Sequence, residues 1–341
     1  MAKVGCAVIG VGLWGETHAA LYAEHADTEL VAVCDLDADR ARQVAQKYGA
    51  PKAVSDYREV MADPAVQAVS IATPDFAHAE PAIAAAKAGK HLLVEKPLAT
   101  TVEECQAIIA AAKASGVKLM TDFHNRWSPP FYKAWKAIRE GEIGQVSHIY
   151  YRLSDTIYVP TRMLRWAGQS TVAWFIGSHS LDTVCWLLGE LPNRVYAVSR
   201  SRVLKARGVD TPDLYSSVLE FPSGATAVIE NDWILPETTP NIIDLKCQIV
   251  ADRGAIYVDG SHHRMMEKYT LEEASFPDTF VFPRVQGKQV GFAVESIRHW
   301  IECLAGDKEP AVTGEDGLRV TQMILAIEES ARARQPVDVS W

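Results

Sequence analysis

Gly10-Val11-Gly12-Leu13-Trp14-Gly15 follows the apolar run Val4 to Ile9 and opens a segment, Leu13 to Glu24, of helical composition. A strand, a Gly-x-Gly-x-x-Gly turn and a helix in that order form the dinucleotide fingerprint, and each glycine has its own task. Gly10 permits the tight turn, Gly12 lets the backbone approach a pyrophosphate, and Gly15 lets helix and strand pack closely while helix amides face the anion. The spacing alone is weak evidence. It gains weight from Asp35, twenty residues after Gly15 at the end of the next apolar run, where a carboxylate can accept hydrogen bonds from both hydroxyls of an adenosine ribose. That acid would repel a 2′-phosphate, and no arginine follows it before Arg40, so NAD is favoured over NADP.

Outward from this motif, short apolar runs alternate with helical patterns as far as Met120. The runs predict strands over Val4 to Ile9, Leu30 to Cys34, Ala68 to Ala72, His91 to Val94 and Lys118 to Thr121. Helices fit at Leu13 to Glu24, Ala38 to Tyr48, His78 to Ala88 and Val102 to Ala114. This is the rhythm of a doubly wound parallel sheet, a Rossmann domain over residues 1–122. After it, longer β-like runs appear at Val146 to Leu153, Arg194 to Ser201, Tyr215 to Phe221, Ala225 to Trp233 and Ile242 to Val250. With helices at about Val290 to Leu304 and Asp316 to Arg334, they predict an α+β domain over 123–341 built on a large, mostly antiparallel open sheet. The fold class is therefore α/β, with two domains, as 341 residues would suggest.

A formal charge of −9 speaks against a nucleic-acid partner, which needs a basic face. No segment is long and apolar enough to span a bilayer and no export signal is visible, so the expected compartment is the cytoplasm. The six cysteines lie far apart without a CxxC pair, which predicts reduced, mostly buried thiols and no metal site.

Further motifs carry a resemblance. Ala72-Thr73-Pro74, Glu95-Lys96-Pro97, His124-Asn125-Arg126, the Gly177-x-His179-x-x-Asp182 run and Gly314 to Arg319 together are similar to the glucose-fructose oxidoreductase and inositol dehydrogenase (Gfo/Idh/MocA) family over nearly the whole chain. The resemblance implies that Lys96 acts at the substrate, that Thr73 and Pro74 lie against the cofactor, and that Asn125 sits near the nicotinamide. It extends the cofactor-facing set, already Gly10, Gly12, Leu13, Trp14, Gly15 and Asp35, to His78, Glu95 and Lys96. Chemistry agrees for Lys96. An amine at the carboxyl end of a strand in such a sheet projects into the ligand crevice, where partial desolvation beside a cationic nicotinamide favours its neutral, proton-accepting form. His179 is the second candidate catalytic residue, able to bond the reacting hydroxyl and relay its proton near neutral pH. Asp182 could orient it or serve structurally.

At Phe175 many members carry Asp, so an apolar ring replaces a carboxylate that would hold a sugar hydroxyl. That points away from inositol dehydrogenase activity proper and towards another substrate or ring face, with Phe175 stacking on C–H groups or turned into the core. Tyr150 to Gln169 reads as a substrate loop, in which Arg152, Tyr158, Arg165 and Trp166 are candidate contacts beside Lys96, Asn125, Phe175 and His179. The leading expectation is oxidation of a secondary alcohol of a sugar, sugar derivative or cyclic polyol. A keto-sugar reductase, a redox-neutral enzyme keeping NAD bound, and a non-catalytic NAD-binding sensor are the alternatives. An open sheet needs covering, so a homodimer or homotetramer through its face is expected.

Overall fold

A computed structural model describes residues 3–261, 266–306 and 308–341. The chain divides into two compact units, the first comprising Met1–His124 and Val281–Thr321, the second Asn125–Phe280 and Gln322–Trp341.

The first unit holds a six-stranded sheet of β1 (Val4–Ile9), β2 (Thr28–Cys34), β3 (Lys52–Val54), β4 (Ala68–Ile71), β5 (His91–Val94) and β6 (Leu119–Thr121). Every pair is parallel and the order is β3-β2-β1-β4-β5-β6. Helices α1 (Leu13–Glu24), α2 (Ala38–Tyr48), α3 (Tyr57–Ala62), α4 (Ala79–Lys87) and α5 (Val102–Ser115) make the crossovers. With helices on both faces no strand side is wet. Hence β4 is buried throughout and β1 from Gly5 onward, as continuous apolar runs rather than alternating ones. The strand order reverses between β1 and β4, and a sheet of this kind opens its ligand crevice at the carboxyl ends of the strands on either side of that point. The dinucleotide motif leaves β1 there, and Ala72-Thr73-Pro74 leaves β4 there.

The second unit holds α6 (Pro129–Arg139), β7 (Val146–Asp155), α7 (Ser178–Leu188), β8 (Arg194–Arg200), β9 (Leu214–Glu220), β10 (Thr226–Asp232), β11 (Ile243–Ala251) and β12 (Ala255–Asp259). Two small hairpins follow, β13 (Lys268–Tyr269) with β14 (Ala274–Ser275), and β15 (Arg284–Val285) with β16 (Lys288–Gln289) in the first unit. Helices α8 (Glu295–Ala305) and α9 (Gly314–Ala333) and strand β17 (Val337–Asp338) complete the chain. The second sheet runs β12-β11-β7-β10-β9-β8-β17, antiparallel except for the β7–β10 pair. Its residues alternate: Ile149, Tyr151 and Leu153 are buried on one face, while His148, Tyr150 and Arg152 lie on the other.

The sequence shows no distinct run at β3, α3, β12 or β17, while α7 realises the single helical face that the His179–Asp182 spacing implies. The helix expected from Val290 starts only at Glu295, after a single turn at Phe292–Val294. All six cysteines are buried thiols.

Candidate active site

The glycines of the dinucleotide motif meet three different environments. Gly10 has φ +81°, and a Cβ there would lie 2.7 Å from the Ala72 carbonyl, so both conformation and space require glycine. A Cβ at Gly15 would fall 1.8 Å from the Gly10 carbonyl oxygen, so helix and turn touch backbone to backbone. At Gly12 nothing lies within 4 Å. That clear space stands at the N-terminus of α1, whose first amides have no partner within the helix and attract an anion. A pyrophosphate fits this cradle.

Asp35, at the end of β2, accepts the Val11 N–H at 2.9 Å through one oxygen and the Asp37 N–H at 3.0 Å through the other. Asp37, not Asp35, caps α2, accepting the N–H groups of Asp39 and Arg40. Arg40 Nε donates to the Val11 carbonyl at 2.7 Å and its Nη2 pairs with Glu16. Arg40, the first arginine after this acid, thus braces the glycine loop, which agrees with NAD rather than NADP. Leu13 is exposed, and the Trp14 ring packs 5.2 Å from both His124 and Phe282.

Thr73 and Pro74 follow β4 in the next turn, where the Thr73 hydroxyl donates to the Ala77 carbonyl at 3.0 Å. His78 is buried, its ring set between the Pro97 carbonyl at 2.7 Å and the Thr73 carbonyl at 2.9 Å. It ties the Ala72-Thr73-Pro74 turn to the Glu95-Lys96-Pro97 turn. Lys96 is 9% exposed at the end of β5, and its N–H donates to Glu95 Oε2 at 3.2 Å. His124 is buried nearby, and burial holds its imidazole down at about 4, hence neutral at ordinary pH. The sequence-read cofactor residues of this unit therefore gather at the carboxyl ends of β1, β2, β4 and β5.

In the second unit α7 carries His179, 8% exposed, with Asp182 and Thr183 one turn on. Asp182 makes a buried bidentate pair with Arg126, Nε to Oδ2 at 3.0 Å and Nη2 to Oδ1 at 2.5 Å. Asn125 donates weakly to the Tyr151 hydroxyl at 3.4 Å and to Thr183 Oγ1 at 3.5 Å. Phe175 sits in a wide helical turn, Ala173–Gly177, just before α7. Its half-buried ring lies between Trp166, edge-on at 6.1 Å, and the fully buried Trp233 at 6.3 Å.

Not all of the substrate set comes together. Tyr151 meets α7, so strand alternation turns Arg152 to the opposite face, where it pairs with Asp244. Tyr158 lies under the Arg162 guanidinium at 4.9 Å, and Arg165 is exposed. No sequence motif singles out His18 or Asp122, both fully buried here. His18 lay within the helix of the dinucleotide motif itself, but a helix buried on most sides gives no stripe to reveal which face a histidine takes.

Known proteins match this arrangement throughout. The oxidoreductase family with an NAD-binding Rossmann fold matches residues 4–123, and the C-terminal alpha/beta domain of the same oxidoreductase family matches 135–339. The chain is 30% identical to scyllo-inositol 2-dehydrogenase (NAD(+)) of Bacillus subtilis, over 99% of this chain and 96% of that one. It is 28% identical to myo-inositol 2-dehydrogenase of Thermotoga maritima, over 97% of each. The crystal structure of an oxidoreductase domain protein from Kribbella flavida, 25% identical, superposes with a TM-score of 0.84 over 100% of both chains. No helix among the described residues is long and apolar enough to cross a membrane. With both halves accounted for, the chain belongs to the Gfo/Idh/MocA family of oxidoreductases and is built around an NAD-binding Rossmann domain.

Proposed function

We propose that this protein oxidises a secondary alcohol of a cyclic polyol, sugar or sugar derivative, with Lys96 taking the hydroxyl proton and His179 the second proton-handling group. The observation that carries the reading is the placement of Lys96. It is a nearly buried amine at the end of β5, in a turn fastened by His78 to the turn after β4 and backed by Glu95. Gly12, the amides opening α1 and Asp35 would hold the dinucleotide. NAD, when bound, supplies the ring that accepts a hydride.

The chain's own residues do the rest. A buried amine gives up its charge more readily than an exposed one, which suits it to accept a proton in the transition state. His179 is shielded from bulk water, and an imidazole can both accept and donate a proton. The half-exposed face of Phe175, braced by Trp166 and Trp233, suits the C–H face of a ring rather than one more hydroxyl. The two inositol dehydrogenases among the relatives favour cyclic polyols as the substrate class, and Phe175 favours a ring with one apolar face.

The test is a panel of inositols, hexoses, pentoses and anhydro-sugars followed by NADH absorbance. Turnover with at least one compound and a loss of about a hundredfold or more in Lys96→Ala are expected. Calorimetric binding of NAD and a sugar without turnover would replace this reading with that of a sensor.

The same reading includes a homodimer or homotetramer through the second sheet. Tyr196, Val218, Val228, Tyr150, Gln248 and Tyr257 are direct cross-strand neighbours and so share one face. Tyr257 is 71% exposed and Tyr196 41% exposed on it, an apolar expanse of the kind a second copy covers. Sedimentation equilibrium should give a multimer, and Val218→Asp should shift it to monomer.

A further inference from the structure

His18 lies on α1 three residues past Gly15 and is 0% exposed. Its Nε2 is 3.0 Å from Glu95 Oε1 and 3.9 Å from Asp122 Oδ2, and its Nδ1 is 2.9 Å from Ser70 Oγ. The Tyr22 hydroxyl lies 2.6 Å beyond, on the same Ser70 oxygen. One polarity serves every donor: Tyr22 donates to Ser70, Ser70 to Nδ1, and Nε2 to Glu95. Asp122 completes the group at 1% exposure. Neither of its oxygens makes a hydrogen bond of good geometry, although Glu95 and the Ser296 hydroxyl lie close.

Two carboxyls this near to one another and this deeply buried do not both ionise. Burial first, then the charge of Glu95, push Asp122 well above the usual carboxyl range. Burial would push Glu95 up too, but the hydrogen bond from His18, the electrostatic pull of the same ring and the Lys96 ammonium behind it outweigh that and hold Glu95 below its ordinary value. Besides His18 and the Lys96 ammonium, the titratable groups facing this pair are neutral. His124 is held low, chiefly by burial, while burial pushes Tyr22 and its neighbour Cys6 well up. Of these groups Glu95 alone carries a negative charge, next in sequence to Lys96.

We propose that His18 and Asp122 are positioning residues for the reaction: together they keep Glu95 as a single buried anion beside Lys96, and that anion sets the pH at which the Lys96 amine takes up the hydroxyl proton. Asp122 does so by keeping its own proton, and His18 by fixing the Glu95 carboxylate with Nε2–H. The consequence for Lys96 rests on the role given to it above. The placement of the proton does not.

The experiment uses the full chain with NAD bound. The titration midpoint of Lys96 is read by carbon-13 NMR after reductive methylation, its resonance identified by absence from Lys96→Ala. Losing the anion in Glu95→Gln leaves the ammonium less stabilised, so the midpoint should fall by about one pH unit or more, a tenfold change in acidity. His18→Leu should move it the same way, whereas Asp122→Ala, which removes a neutral group and leaves the Glu95 anion, should move it little. His18→Gln, which can still donate to Glu95, should return it towards wild type, and Asp122→Asn, neutral like the protonated acid, should hold it there. In parallel, infrared spectroscopy at neutral pH should show the carbonyl stretch of a protonated buried carboxyl, lost in Asp122→Asn.

A midpoint unmoved by Glu95→Gln, absence of the carboxyl band, or a stoichiometric metal bound by wild type and lost in His18→Leu would each overturn the proposal. Should His18→Leu fail to fold, Glu95→Gln and His18→Gln, close in size to the originals, still decide it. If instead Lys96→Ala keeps full activity while the midpoint shifts as described, the proton-accepting role of Lys96 fails and the buried anion stands.

Discussion

The Asp35 carboxylate accepts the backbone N–H of Val11 at 2.9 Å, so the acid ending β2 props the glycine turn that ends β1. The residue that would grip the adenosine ribose also shapes the cradle for the pyrophosphate, and two substitutions separate these tasks. Asp35→Asn keeps an oxygen for Val11 but loses the charge and the exposed acceptor used by the Asp37 N–H, so its KM for NAD should rise about tenfold, equivalent to about 1.4 kcal/mol, with only a small fall in the melting temperature. Asp35→Ala should lose both and melt lower. Steady-state kinetics beside calorimetry reads the difference.

Gly12 and Gly15 should fail in opposite ways. At Gly12 an added methyl meets nothing within 4 Å, so Gly12→Ala should fold as wild type yet bind NAD about tenfold or more weakly, because the methyl occupies space meant for the dinucleotide. At Gly15 the methyl would stand 1.8 Å from a backbone oxygen that cannot swing aside. Gly15→Ala should therefore cost about 3 kcal/mol of stability or prevent folding. Equal melting temperatures for the two variants would refute the distinction.

How much of this was legible follows from what each residue must do. The turn after β1, Asp35, Thr73, Pro74 and Lys96 stand where their motifs put them, because backbone chemistry fixes such positions locally. β3 is not legible since three residues at a sheet edge are too few to show a period; the His179–Asp182 spacing does read as one helical face, but nearly every residue from Ser178 to Leu188 is buried, so no polar stripe marks the bounds of α7. The wide turn at Phe175 also breaks the 3.6-residue count just before His179. Arg152 is a different case. Adjacent residues on a strand face opposite ways, so with Tyr151 turned to α7 the Arg152 side chain lies on the other face of the sheet. Asp122 and His18 belong together only through long-range packing that no local pattern encodes.

The pair of Arg126 with Asp182 should prove strongly asymmetric to substitution. Its side chains are 13% and 2% exposed, so Asp182→Ala strands a guanidinium with little water to replace its partner. Breaking a buried pair from one side costs about 3–5 kcal/mol, and a hydrophobic replacement of both partners should cost less than the single change. A double-mutant cycle by chemical denaturation, with Asp182→Leu, Arg126→Met and the double variant, measures this. Additive losses would show the pair to be solvated and weak.

Glu16 supplies a pH signature distinct from that of the buried cluster. Burial pushes its carboxyl up, but hydrogen bonds from Lys47, Arg40 and Tyr48 prevail and hold it at about 2, against about 4.3 for an unfolded glutamate. A carboxyl whose folded value is depressed binds fewer protons in the native state than in the unfolded one over that window, so stability rises with pH across it. The contribution is complete above pH about 4.3 and vanishes as the pH falls through about 2. Glu16→Gln should therefore be less stable than wild type at neutral pH, and the gap should close on acidification through that window. Because Arg40 also braces the Val11 carbonyl, the same substitution should loosen the glycine turn and weaken NAD binding by a few-fold at neutral pH, an effect that calorimetric titration separates from the loss of stability.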